Sequence, residues 1–245
     1  MILCREWKSK LKTKSNSTII CTILELIKKY SSEEHLRFLR HSLQLQECGY
    51  GADNMCVGTK VPVLRDIAEH YGYLNNEYLE RMLRHEVHEM RFVALLIMID
   101  QFSHSKKSIY DLYVRNIGML DNWDLVDLSA HKILGEYSYL NSNCEEIINL
   151  SNDDGLWKNR VAVVSTWAFI KRGKFEFPLQ IIKKFITHPH HLILKASGWM
   201  LREIGKRDQN AMMGFILENN LMISSITKSY AMEIFKKKKI IKYFF

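Results

Sequence analysis

Apolar residues recur along this chain three and four positions apart, the spacing of one face of an α-helix. Near the start of the chain, Ser31 and Glu34 have the spacing of a capping box at the beginning of one helix. Pro62 suits the first turn of a second helix, and Gly72 suits its end. The pattern then predicts helices near 76–85, 87–101, 105–118, 123–140, 155–172, 178–187, 191–206, 208–219 and 225–235.

This succession of helices, without strand–helix alternation or a glycine-rich phosphate loop, predicts an all-α fold. The run FVALLIMI at 92–99 has no turn residues beside it and is predicted as a buried helix. Short connections favour an α-solenoid of antiparallel helix pairs with HEAT-like repeats, a single curved domain over residues 17–245. A compact irregular bundle is the alternative, because the repeats are not alike in sequence.

The two ends of the chain are rich in lysine. Residues 1–16 are interpreted as a basic N-terminal arm and are a candidate for disorder. The tail KKKKIIKYFF is interpreted either as a solvated helix end or as an end that contacts phosphates.

Lysine and arginine exceed aspartate and glutamate by 35 to 27, which favours an anionic partner such as nucleic acid or an anionic membrane surface. The five cysteines are scattered without a CxxC pair, as in a cytoplasmic protein with reduced thiols. No apolar run is long enough to span a bilayer. The pair His190–His191 beside Pro189 is interpreted as a polar turn between helices, so neither a metal nor another cofactor is predicted.

An aspartate interrupts the apolar stripe of the segment DNWDLVDLSAHKILGEY at 121–137. On a helix, Asp127 shares a face with Trp123 and with the apolar residues one and two turns further on. A carboxylate at such a position must be neutralised, hydrogen-bonded, or open to something outside the core.

Two later helices also combine a tryptophan with a charge: Arg160 follows Trp157 by one turn, and Arg202 follows Trp199 by one turn. Structural explanations are open for each, because Asp127 could pair with a buried arginine and Trp157 or Trp167 could be core. Together, aromatic faces and cations would suit sugar edges and phosphates. A carboxylate among phosphates needs a different role.

Five segments form a pattern of fixed order and spacing: GADNMCVGTKVPVLRDIA, HEVHEMRFVALLI, NWDLVDLSAHKILGEY, LWKNRVAVVSTWAFIKRG and KASGWMLREIGKRD. In that order and spacing they resemble the AlkD-like family of DNA alkylation-repair glycosylases. The resemblance covers about residues 31–235 and implies hydrolysis of the N-glycosidic bond of cationic N3- or N7-alkylated purines in double-stranded DNA. It implies that Asp127 is catalytic, that Trp123 and Trp199 line the DNA groove, and that Arg160 contacts phosphate. Arg202 is assigned to the same groove.

A single carboxylate suits that chemistry, because a cationic purine departs without a proton and only the oxocarbenium-like sugar needs an anion. The resulting hypothesis is a monofunctional DNA glycosylase that acts as a monomer without a cofactor. A second hypothesis is a non-catalytic helical-repeat module that binds DNA or a protein through its concave face. A third is membrane-surface binding through the basic ends. Asp127 favours the first, because a pure phosphate binder gains nothing from an anion.

Overall fold

The computed structural model describes residues 16–236, and these form helices with short connections and no β-strand. The prediction of an all-α, solenoid-like fold is confirmed. Residues 1–15 of the predicted arm and residues 237–245 of the lysine-rich tail lie outside the described residues. The chain divides into two compact units between Asp100 and Gln101, and a single domain over 17–245 stays a prediction.

Four of the five helices described in the first unit lie close to the predicted positions, whereas the first, over residues 16–29, was not predicted. Pro62 lies in the first turn of its helix, as predicted. The cap of the preceding helix is Ser32, whose hydroxyl accepts from the backbone N–H of His35 at 3.2 Å, so the prediction of Ser31 as the cap was wrong. The hydroxyl of Ser31 instead donates to the Lys28 carbonyl at 2.7 Å. The helices are α1 (Asn16–Lys29), α2 (Glu33–Ser42), α3 (Val61–His70), α4 (Asn76–Leu83) and α5 (His88–Gln101).

Helix α5 is the buried helix predicted from the run at 92–99. Its first turn contains a buried carboxylate, Glu89, which was not singled out from the sequence. Glu89 accepts hydrogen bonds from the backbone N–H groups of Val57, Gly58 and Thr59 at 2.8–3.3 Å. This buried anion therefore fixes the loop before α3 to α5.

In the second unit, α10 and α13 are the most central helices. Helix α10 packs against α7, α9 and α13, and α13 packs in turn against α14 and α15. The helices are α6 (Lys106–Arg115), a 3₁₀ turn (Ile117–Met119), α7 (Trp123–Ser129), α8 (Leu134–Leu140), α9 (Glu145–Ser151), α10 (Leu156–Ser165), α11 (Trp167–Ile170), α12 (Glu176–Lys184), α13 (His191–Gly205), α14 (Gln209–Glu218), α15 (Ser225–Ala231) and α16 (Glu233–Lys236).

Three predicted helices are broken in the structure. The helix predicted over 123–140 is interrupted at 130–133, where the Ala130 carbonyl accepts from the backbone N–H of Gly135 at 2.9 Å and from the Ser165 hydroxyl at 3.3 Å. The second of these hydrogen bonds comes from another helix, so local spacing could not reveal it. The helices predicted over 155–172 and 225–235 are likewise divided, at Thr166 and Met232.

Helix α9 was missed in the sequence. Its signal is short: the Asn143 side chain accepts from the backbone N–H of Glu145 at 2.9 Å, and buried Ile147 and Leu150 lie one turn apart. A helix of 7 residues offers too few apolar positions for its period to stand out.

Gly198 lets α13 approach α15 closely. A Cβ at Gly198 would lie 2.5 Å from the Cβ of Tyr230 and 2.7 Å from the Thr227 carbonyl oxygen. Both neighbours are backbone or backbone-fixed atoms, so neither can move aside without shifting a helix. The close packing of these two helices therefore requires glycine at this position.

Gly198→Ala is expected to lower the free energy of unfolding by about 1–3 kcal/mol, the usual cost of overpacking. Gly214→Ala is the matched control, because no atom lies within 4 Å of a Cβ there. Gly214 lies inside α14, so alanine should leave stability unchanged or raise it by up to ~1 kcal/mol. Urea unfolding measures the free energy of unfolding of both variants, and the comparison requires that their m-values are equal. Equal stabilities of the two variants would contradict the close approach.

Candidate functional site

The predicted site residues lie on three helices of the second unit: α7, α10 and α13. Trp123 is the first residue of α7, and the Asn122 side chain caps that helix by accepting from the Trp123 N–H at 2.8 Å. Asp127 follows four residues later, so the two side chains share one face of α7. Both residues are half-buried. The cap therefore fixes the residue at which α7 begins, and with it the residues that lie on this face.

Asp127 forms a bidentate ion pair with Arg160 of α10. The Arg160 Nε donates to Oδ1 of Asp127 at 2.9 Å, and Nη2 donates to Oδ2 at 2.8 Å. The Nη1 of the same guanidinium donates to the backbone carbonyl of Leu192, in the first turn of α13, at 2.6 Å. Arg160 therefore ties α7, α10 and α13 together. Pairing with a buried arginine is one of the alternatives that the sequence left open for Asp127.

The two partners differ in exposure: 7% of the Arg160 side chain is accessible, against 21% of the Asp127 side chain. Burial raises the pKa of the Asp127 carboxyl above its usual value, and the charge and hydrogen bonds of Arg160 offset only part of this rise. Arginine remains protonated in proteins, so the bidentate geometry favours the ionised carboxylate. The structure thus holds a partly exposed anion in a fixed orientation.

Two histidines at the start of α13 lie within electrostatic range of Arg160. Burial lowers the pKa values of His190 and His191, and the charge of Arg160 lowers them further. Lys195, one turn into α13, adds to the effect on His191. His190 lies in the predicted turn, where its Nδ1 caps α13 by accepting from the Leu192 N–H at 3.2 Å. Among residues 16–236, no group of histidine, cysteine, aspartate and glutamate is arranged to hold a metal ion.

Trp199, half-buried on α13, contacts Trp167 of α11, with ring centroids 5.4 Å apart. The Trp167 ring in turn lies 4.4 Å from that of His131, which follows Asp127 by four residues and lies in the interruption at 130–133. Burial lowers the pKa of His131 to about 3, with smaller effects from the charges of Lys132 and Lys171. From the sequence, Trp167 was considered only as core, and His131 was not considered. The signal available was the spacing of four between Asp127 and His131.

Within the described part of the chain, no contact places Arg202 at the Asp127–Arg160 pair. It lies three residues after Trp199 on α13, and its guanidinium forms an ion pair with Glu233 of α16. Its assignment to a DNA groove stays a prediction, as do the roles implied for Trp123, Trp199 and Arg160.

This geometry can support chemistry on a cationic substrate. A carboxylate fixed by a guanidinium can stabilise positive charge without reorienting, and half-buried tryptophans offer faces to sugar C–H groups or to a base. The net positive charge of the chain favours an anionic polymer. Among residues 16–236, none of the helices is both long enough and apolar enough to cross a membrane.

Comparison with known proteins agrees with this interpretation. A search of curated proteins found no match. A solved structure of a predicted DNA alkylation repair enzyme from Enterococcus faecalis has a similar fold, with a TM-score of 0.65 at 15% sequence identity, over 83% of this chain and 95% of that one. The family model described as "DNA alkylation repair enzyme" matches residues 23–235. Because this match covers most of the chain, the protein belongs to the DNA alkylation repair enzyme family.

Proposed function

We propose that this protein is a DNA glycosylase that hydrolyses the N-glycosidic bond of purines alkylated at N3 or N7 in double-stranded DNA. The single observation that carries the proposal is the partly exposed Asp127 carboxylate, held bidentate by Arg160. Membership of a DNA alkylation repair enzyme family supports the choice of substrate. The protein would act as a monomer and without a cofactor.

The reaction needs one anion. Alkylation at N3 or N7 gives the purine a positive charge, so the bond from C1′ to N9 breaks with its electron pair passing to the base, which leaves neutral. Asp127 would stabilise the positive charge that develops on the sugar. A water molecule then adds to C1′ and loses its proton to Asp127, which returns the proton to solvent. No second carboxylate is required, in contrast to ordinary glycoside hydrolysis.

The contacts of Arg160 favour a positioning role over the phosphate contact that the resemblance implied. Three of its N–H groups are already directed at Asp127 and at the Leu192 carbonyl, and the side chain is almost fully buried. A phosphate at Arg160 would compete with Asp127 for the same donors. We therefore assign to Arg160 the orientation of the Asp127 carboxylate. Trp123 and Trp199 remain our candidates for contacts to the sugar, and Arg202 for the DNA backbone.

One observation also favours a second candidate, a DNA-binding module without catalysis. The Asp127–Arg160 pair, with its hydrogen bond to the Leu192 carbonyl, connects three helices, and a buried ion pair can serve as a structural link. In that case Asp127 would have no role beyond the packing of α7 against α10.

The experiment that separates the two candidates measures free 7-methylguanine released from methylated double-stranded DNA under single-turnover conditions. A glycosylase should release the base faster than spontaneous depurination and leave an abasic site. Unmethylated duplex is the control and should release no purine. Duplex binding without any acceleration of release would reject the glycosylase and favour the binding module.

A further inference from the structure

Two helices of the second unit are followed directly by a lysine and an arginine. Lys171 and Arg172 follow the last residue of α11, and Lys206 and Arg207 follow the last residue of α13. All four residues are exposed. We call them the two Lys–Arg pairs. Neither pair has a role in the proposed reaction.

The first pair is held by Glu136 of α8. The Lys171 Nζ donates to Oε1 of Glu136 at 2.8 Å, and the Arg172 guanidinium donates to Oε1 and Oε2 of the same carboxylate at 3.2 and 2.7 Å. Only 17% of the Glu136 side chain is accessible, against 36% and 34% for the two cations. Burial acts to raise the pKa of Glu136, but the hydrogen bonds and charges of the two cations bring it below its usual value. Glu136 is therefore an anion that holds two more exposed cations.

Glu203 of α13 repeats this arrangement with the second pair. The Lys206 Nζ donates to Oε1 of Glu203, and the Arg207 Nη1 donates to Oε2 at 3.3 Å and to the Glu203 backbone carbonyl at 2.8 Å. Here 8% of the glutamate side chain is accessible, against 49% and 32% for the two cations. In both places, two accessible cations share one largely buried carboxylate, so one positive charge is left in excess at the surface.

A structural role accounts for only part of this arrangement. Cations near the end of a helix are attracted to the partial negative charge there, and a single cation is enough to neutralise each glutamate. The second cation leaves positive charge at the surface, and an exposed ion pair adds little to stability. The excess charge therefore has no explanation in the packing of the helices.

The first pair is also ordered in advance. The Arg172 guanidinium carbon lies 4.3 Å from the centroid of the Tyr139 ring, and Nη1 donates to the Ala168 carbonyl at 2.7 Å. An ordered side chain loses less conformational entropy when a ligand binds. Within residues 16–236, the Lys171 ammonium donates one of its three N–H groups to Glu136, so N–H groups remain for an anion.

Both pairs lie close to the proposed site. Lys171 follows Trp167 by four residues, and its Nζ lies 5.9 Å from the centroid of that ring. Lys206 follows Trp199 by seven residues, a rise of about 10 Å along a helix. The two tryptophan rings are in contact, with centroids 5.4 Å apart. This contact joins the two segments that carry the pairs.

We propose that the two Lys–Arg pairs bind phosphates of the DNA backbone, with or without a lesion in the duplex. This inference rests on the proposed function, from which it takes double-stranded DNA as the partner, and it deepens that function. The pairs would hold any duplex, whereas Asp127 would act only at an alkylated nucleotide. They would also supply phosphate contacts that Arg160, directed at Asp127, does not offer. One excess charge in each pair corresponds to about one phosphate.

The test measures the affinity for an unmodified duplex by fluorescence anisotropy over a range of salt concentrations. Lys171→Gln/Lys206→Gln removes the excess charge of both pairs and leaves Arg172 and Arg207 to neutralise the glutamates, so the variant should fold. The slope of log affinity against log salt is expected to fall by about one for each lysine. For each lysine, the loss of affinity would then grow about 8-fold with each tenfold dilution of the salt. Lys171→Arg/Lys206→Arg keeps both charges and should keep the slope.

Lys106→Gln/Lys183→Gln is the matched control. It removes the same amount of charge from exposed lysines on α6 and α12, which carry none of the proposed site residues. Its salt slope should stay close to that of the wild type, which separates a local contact from a change in net charge. Urea unfolding verifies that each variant is folded.

An unchanged slope in the folded Lys171→Gln/Lys206→Gln variant would overturn the inference. An equal loss in the control, or a wild type that does not bind the unmodified duplex, would also overturn it. This duplex contains no lesion, so the measurement does not depend on base release. Failure of the proposed function would appear instead as absent release of 7-methylguanine from methylated duplex.

Discussion

Asp127→Asn is expected to reduce the release of 7-methylguanine from methylated duplex by at least about 100-fold, the loss typical of removing one preorganised charge contact. The amide cannot stabilise the developing positive charge on the sugar as an anion does, and it cannot accept the proton of the attacking water. Duplex affinity should be unchanged or higher, because a negative charge beside the phosphates is removed. Single-turnover release and equilibrium binding on the same duplex measure the two effects.

The matched control is Asp124→Asn on the same helix. Asp124 lies in the first turn of α7, and its Oδ1 accepts from the Leu125 N–H at 2.9 Å. It is not part of the proposed machinery, so release should stay near the wild-type rate. In the Asp127→Asn variant, the amide oxygen can still accept from Arg160, so we expect this variant to fold, which its unfolding curve verifies. Wild-type release by a folded Asp127→Asn variant would remove Asp127 from the mechanism.

Arg160→Gln is expected to have the second large effect, on stability and on release together. Removing one partner of a buried ion pair costs about 3–5 kcal/mol, because the other charge is left unpaired. The Asp127 carboxyl would then lose the influence that lowers its pKa. Release by the variant should therefore be slow at neutral pH and recover in part as the pH rises and more of the carboxyl ionises. A pH–rate profile and urea unfolding measure these effects.

The salt dependence of duplex binding separates positioning from phosphate contact. Loss of one phosphate contact reduces the slope of log affinity against log salt by about one. A positioning residue leaves that slope unchanged, which is our expectation for Arg160. The double variant Asp127→Asn/Arg160→Gln should lose less stability than the sum of the single variants, because no unpaired charge remains. A reduced salt slope, with additive stabilities, would return Arg160 to the phosphate role.

Much of the local structure could be predicted from the sequence. Helical periodicity located most of the helices. Pro62 lies in the first turn of α3, and the turn at His190 precedes α13, as their residue types predict. The buried run in α5 was recognised because apolar residues without flanking turn residues are typical of a core helix. These features depend on residues within one or two turns of each other, which is the range that a sequence pattern reports.

The sequence by itself also determined which residues are candidates. An aspartate on an apolar stripe had to have a partner or a function, and Asp127 was identified on that ground alone. The family was apparent from segments that include Trp123, Asp127, Arg160 and Trp199. What the periodicity could not show is where a helix breaks. At the break, the Ala130 carbonyl accepts a hydrogen bond from the Ser165 hydroxyl, 35 residues away.

Only the tertiary structure decided which of these side chains meet. It paired Asp127 with Arg160, 33 residues apart, and Arg202 with Glu233, and it placed Trp167 between His131 and Trp199. Spacing along one helix determines the face on which a side chain lies. The partner of that face depends on how helices pack, which is decided by close approaches such as that at Gly198 and by contacts distant in sequence.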